Sequence, residues 1–149
     1  MDPLKIVVAM PAEEEFMPSI SRWGHEYVWT KKVVYFVHVV REDVYISDRG
    51  VEKILSKEEK ENMRQHTLDF IKNKASEMIP LSVFKKAQFE VIFAQNPADR
   101  LAKYAKEINA GMIVVATRNK KGFAGFFLSS FADRIISLSP CDVLVLRPK

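Results

Sequence analysis

Five short segments of this chain are apolar at nearly every position: Ile6 to Met10, Val33 to Val40, Phe89 to Ala94, Met112 to Ala116 and Val143 to Leu146. Runs of four to eight residues rich in Val, Ile and Phe suit strands buried on both faces. Such strands belong to parallel sheets covered by helices on either side. Longer segments with helical spacing lie between the runs, so the order reads β-α-β-α-β-α-β-α-β. With right-handed crossovers, that alternation predicts one α/β domain over residues 1–149: a doubly wound, mostly parallel, five-stranded sheet with helices on both faces.

The clearest helix is Lys57 to Ile79. Ser56 followed by Glu59 is a capping box, Pro80 marks the end, and Met63, Thr67, Phe70, Ile71, Ala75 and Met78 form a stripe. Asn96-Pro97-Ala98-Asp99 starts another helix: Asn suits the N-cap, Pro the first turn, and Asp the positive end of the dipole. Leu101, Tyr104, Ala105 and Ile108 mark its inner face, and Asn109-Ala110-Gly111 ends it. A last helix is expected over Phe127 to Leu138, with Leu128, Phe131, Ile135 and Leu138 inward. The first helix is expected to begin near Pro18, with Ile20, Trp23, Tyr27 and Val28 facing the sheet. Arg41 to Leu55 reads as a long irregular connection decorating the second crossover.

Composition removes several function classes. The single Cys141 excludes an intrachain disulfide framework, and with three scattered histidines (His25, His38, His66) there is no zinc-ligand spacing. No apolar run approaches the roughly 20 residues that span a bilayer. The opening MDPLKIVVAMPAEEE reaches acidic residues too soon for a secretory leader, so a reducing, cytoplasmic setting is expected. The net charge of +4 comes from basic residues mixed with acidic ones. That describes a salt-bridged surface and argues against nucleic acid as a partner.

In a sheet of this kind ligands bind beyond the carboxyl ends of the strands, where the strand order reverses. The loops there follow the first strand (Pro11 onward) and the fourth (Thr117 to Phe126). The second carries Arg118, Lys120 and Lys121, two glycines, and the hydroxyls of Ser129 and Ser130 at the next helix start. Positive charge, backbone N–H groups and hydroxyls together favour phosphate. His38 reads as a core or sheet-end histidine, Trp23, Tyr27 and Trp29 as helix-to-sheet packing, Glu13 to Glu15 as a helix start, and Cys141 as a structural thiol. No nucleophile–base constellation assembles, so no catalytic residue is expected.

The C-terminal half resembles the universal stress protein family. The resemblance rests on Gly111-Met112-Ile113-Val114-Val115-Ala116-Thr117-Arg118, on Ser139-Pro140-Cys141-Asp142-Val143-Leu144-Val145-Leu146-Arg147-Pro148, and on the Asn96-Pro97-Ala98 helix start. It implies strand order 3-2-1-4-5. It also implies a candidate nucleotide site at Met10, Pro11, Val40, Ala116, Arg118, Asn119, Ser129 and Ser130. Family nucleotide binders carry Gly-x2-Gly-x9-Gly-Ser/Thr in this loop. Here the spacing is kept, but the positions hold Ala116, Asn119 and Ser129, followed by Ser130. Glycine lets backbone approach phosphate without a Cβ, so the cradle becomes tighter. The family's aspartate at the end of the first strand is Pro11 here, which loses both a carboxylate and a backbone donor.

These departures imply a cytoplasmic module acting through dimerisation and protein interaction, without efficient ATP binding. The alternative is an ATP-binding switch or slow ATPase, with Mg held mostly by phosphate and water. The resemblance also implies a homodimer through the final strand, Val143, Leu144, Val145 and Leu146, whose open edge is apolar. It leaves the protein partner unknown, and no membrane association is expected.

Overall fold

The computed structural model describes residues 2–11, 14–53, 55–117 and 130–148, and for 44–47 and 51–53 the backbone alone. The five apolar runs become β1 (Leu4–Ala9), β2 (Lys32–Arg41), β5 (Gln88–Ala94), β6 (Met112–Ala116) and β7 (Asp142–Leu146). They form one all-parallel sheet in the order β5-β2-β1-β6-β7, the expected 3-2-1-4-5.

Side chains alternate between two cores. Ile6, Val8, Met10, Val34, Phe36, Val91 and Val114 join the core under α1 (Met17–Glu26) and α2 (Lys57–Met78). Val7, Val37, Ile113 and Val115 join the core under α4 (Pro97–Glu107) and α5 (Ser130–Leu138). Both faces are covered, which is why the strands read as unbroken apolar runs. A short helix, α3 (Leu81–Phe84), follows Pro80 and leads into β5.

The helix signals act as expected at several ends. The Ser56 hydroxyl accepts the Glu59 N–H at 3.1 Å. Asn109 takes the left-handed conformation (φ 59°) after α4, and the Ala110 N–H donates to the Ala105 carbonyl at 2.8 Å. Asn96 differs, because its side chain makes no capping bond, although Pro97 opens α4 as expected.

Three inward faces also differ from expectation. Val28 is 66% exposed because α1 stops at Glu26 and Tyr27 is already extended. On α2 the inner face begins with the long side chains of Lys60 and Arg64 rather than Met63, which is exposed. Leu138 is likewise exposed, and inward contact in α5 falls to Ala132 and Ile135. Leu128 and the expected start of that helix at Phe127 lie outside the described residues.

The connection Arg41 to Leu55 is not irregular. It holds an antiparallel hairpin, β3 (Val44–Ser47) with β4 (Gly50–Lys53), that pairs Ser47 with Gly50. Asp48 and Arg49 make the turn, and Gly50 supplies the positive φ of 107° that closes it. The hairpin rises from the carboxyl end of β2.

Candidate functional site at the strand switch point

The order of strands reverses between β1 and β6, which are parallel neighbours in the register Ile6↔Met112 to Val8↔Val114. Continuing that register sets Met10 level with Ala116. Met10 and Ala116, which lead into the two loops, therefore meet at one end of the sheet, the end from which a doubly wound fold binds its ligands.

Each expected residue has a distinct placement. Met10 is 2% exposed, and its side chain belongs to the core under α1 and α2 rather than to the cleft. Pro11 is half-buried at the mouth and offers no N–H. Ala116 closes β6 against the same core as Met10. Ser130, exposed, is the first described residue of α5. Arg118, Asn119 and Ser129 lie outside the described residues.

Val40 is set by strand parity. The Val37 carbonyl accepts the Met10 N–H at 2.8 Å, so odd residues of β2 turn their backbone groups toward β1. The Glu42 N–H donates to the Ala94 carbonyl at 2.8 Å, so even residues turn toward β5. The backbone of Val40 thus faces β5, and that of Val39 faces the cleft.

β2 outruns β1. Its pairing with β5 continues to Arg41↔Ala94, whereas its pairing with β1 stops at Ala9↔Val37. Beyond that point the N–H and C=O of Val39 face the space above Pro11. Together they form a donor and an acceptor side by side, the pattern that reads the edge of a heterocyclic base.

Two further residues complete this end of the sheet. His38 places Nδ1 2.7 Å from the Met10 carbonyl oxygen. A carbonyl only accepts, so Nδ1 carries the proton in this contact. Thr117, 2% exposed, donates its N–H to the Leu146 carbonyl at 2.9 Å and its hydroxyl to the same oxygen at 3.3 Å. This ties the root of the expected phosphate loop to β7. Arg22 of α1 donates from Nη2 to the Arg147 carbonyl at 3.0 Å just beyond β7.

Sequence reasoning passed over Val39, Thr117 and the contact of His38 with Met10. Strand parity, counted back from the proline that must end β1, was the signal available for Val39. The Thr117 contact depends on how far β7 extends and left no mark in the sequence.

At the edge of this end, the Glu42 carboxylate is buried and ion-paired with Lys60 of α2. The Lys60 ammonium and the Arg64 guanidinium lie 5.4 and 5.3 Å from the centre of the Phe93 ring, and Arg64 donates from Nη1 to the Val91 carbonyl at 2.7 Å. These contacts pack α2 onto β5. Among the described residues no group of three or more His, Cys, Asp or Glu side chains is placed to hold a metal. No helix among them is long and apolar enough to cross a membrane.

Trp23, Tyr27 and Trp29 pack on one another with ring centres 4.9 to 5.3 Å apart, and Trp29 Nε1 donates to the Gly24 carbonyl at 2.9 Å. They join the core under α1 and lie away from the cleft. The Cys141 thiol sits in a turn closed by Ser139, whose hydroxyl donates to the Cys141 carbonyl at 2.7 Å and accepts the Cys141 N–H at 3.1 Å.

Comparison with known proteins agrees with this geometry. The model of the Universal stress protein family matches residues 5–147. Universal stress protein YxiE of Bacillus subtilis (strain 168) is 29% identical over 145 residues, covering 97% of this chain and 88% of that protein. Universal stress protein UspA from Lactobacillus plantarum superposes with a TM-score of 0.67 at 14% identity, over 99% of both chains. The universal stress protein from Archaeoglobus fulgidus in complex with dAMP superposes with a TM-score of 0.62 at 17% identity, over 98% of this chain and 99% of that one.

Proposed function

This chain belongs to the universal stress protein family, and from that premise we propose that it is a cytoplasmic, dimeric regulatory module. In this reading its cleft takes the base of an adenine nucleotide without efficiently holding a magnesium triphosphate, and it acts through a protein partner. One observation carries the reading: at the β1–β2 fork the Val39 backbone edge has no ladder partner among the described residues, while Pro11 beside it offers neither a carboxylate nor an N–H.

A base needs one donor and one acceptor in a plane, and the Val39 amide supplies both. A hydrated magnesium ion is best held by anionic acceptors, which Pro11 cannot give. Adenine nucleotide binding by a protein of the same fold supports the choice of base.

Dimerisation draws support from β7. The Thr117 N–H donates to the Leu146 carbonyl, so even residues of β7 face β6 and the backbone groups of Val143 and Val145 face outward. An open, apolar, parallel edge is a pairing surface.

Thermal unfolding with AMP and with Mg-ATP tests the cleft, because a ligand at 100 times its dissociation constant adds about 2.7 kcal/mol. A rise in midpoint with AMP at least as large as any rise with Mg-ATP is expected. The slow ATPase reading would need Mg-ATP to stabilise more than AMP and phosphate to be released on incubation.

A further inference from the structure

We infer that His38 is a positioning residue for the cleft: by taking the Met10 carbonyl out of the β1–β2 ladder, it leaves the Val39 N–H free for a ligand. The ligand half of this inference rests on the reading above.

In a parallel ladder one residue forms two bonds to its neighbour strand. Leu4 begins this pattern by donating to the Lys31 carbonyl at 3.0 Å, and the register runs unbroken to Ala9↔Val37. Met10 continues it with one bond only, its N–H to the Val37 carbonyl. The second, from the Val39 N–H to the Met10 carbonyl, would pair Met10 with His38 and extend β1 by one residue. β1 instead ends at Ala9, and the Met10 carbonyl accepts from His38 Nδ1.

The consequence is local and directional. The Met10 carbonyl keeps a partner, so buried backbone at the strand end carries no unsatisfied acceptor. The Val39 N–H loses the partner the ladder would have given it and faces the space above Pro11. Pro11 secures the arrangement from the other side, because without an N–H it cannot continue β1. The neutral δ-tautomer and the imidazolium both donate from Nδ1, so the contact holds in either protonation state.

The experiment compares wild type with His38→Leu and His38→Asn. Asparagine Nδ2 stands close to where imidazole Nδ1 does and donates, whereas leucine fills the space without a donor. Two readouts are taken: amide hydrogen exchange at Val39 in the ligand-free protein, and AMP affinity by calorimetry.

In His38→Leu the Met10 carbonyl is expected to recapture the Val39 N–H, slowing its exchange about tenfold or more. AMP affinity is expected to fall by about tenfold, the measure of one hydrogen bond. His38→Asn is expected to restore both toward wild type. Unchanged Val39 exchange in His38→Leu, or a His38→Asn protein that behaves like His38→Leu in both readouts, would overturn the inference. If wild type binds no AMP while the exchange pattern holds, the nucleotide reading fails and the ladder role of His38 stands.

Discussion

A Cβ built on Gly24 would lie 2.5 Å from the carbonyl oxygen of Met78, closer than real Cβ atoms come to backbone. Glycine in a helix interior costs about 1 kcal/mol relative to alanine, and here it lets α1 approach the last turn of α2. Gly24→Ala is therefore expected to lose about 1–3 kcal/mol, because backbone rather than a side chain must move. A lower urea midpoint with an unchanged slope would show it. Gly111→Ala is the control: its Cβ would meet the flexible Leu4 side chain, and a smaller loss is expected.

The Glu42 carboxylate, 8% exposed, shares its site with the Lys60 ammonium. Removing one member of a buried pair costs about 3–5 kcal/mol, because the other charge stays behind. Lys60→Met is expected to fall at or just below that range, since Lys60 keeps some contact with water. Lys60→Met combined with Glu42→Gln is expected to recover much of the loss. Chemical denaturation of these two variants and of Glu42→Gln alone measures the coupling, and losses of the two single changes that simply add in the double would show that the pair is not coupled.

Burial, with the negative charge of Glu90 second, pushes the Tyr104 hydroxyl up to about 12. A tyrosine in the unfolded chain ionises near 10. The folded state disfavours the phenolate, so this group's contribution to stability is full below about pH 10 and is lost as pH rises toward 12. Tyr104→Phe is expected to flatten the stability curve in that window and to remove the latest step from an ultraviolet tyrosine titration. A variant whose alkaline unfolding matches wild type would count against this assignment.

The outward N–H groups of β7 give a clean test of dimerisation. Proline at an edge position whose N–H faces away from the sheet spares the internal ladder. Val145→Pro is expected to leave the bonds between β6 and β7 in place while blocking strand addition. Sedimentation should show a dimer for wild type and a monomer for the variant, with similar circular dichroism. A monomeric wild type would remove the dimer from the account.

The sheet was legible because burial on both faces leaves a mark at every position. The runs from Ile6, Val33, Phe89, Met112 and Val143 each became a strand in the expected order. The hairpin after Arg41 was not legible, because strands of four residues are too short to leave a long apolar run. Lys60 and Arg64 misled the helical stripe for a related reason: their apolar stems and charged ends cover Phe93, a task that a count of apolar residues assigns to Met63. At the site, Pro11 announced the end of β1, and Ala116 the end of β6. That the backbone of Val39, and not that of Val40, turns toward β1 needed the pairing register, which composition does not carry.

The most direct test of the account is calorimetric titration of wild type and Pro11→Asp with AMP and with Mg-ATP, side by side. Wild type is expected to bind AMP at least as tightly as Mg-ATP. A carboxylate at position 11 is expected to raise Mg-ATP affinity by about tenfold, the scale of one charge-assisted contact. Wild type binding Mg-ATP more than about tenfold tighter than AMP, with Pro11→Asp making no difference, would contradict it.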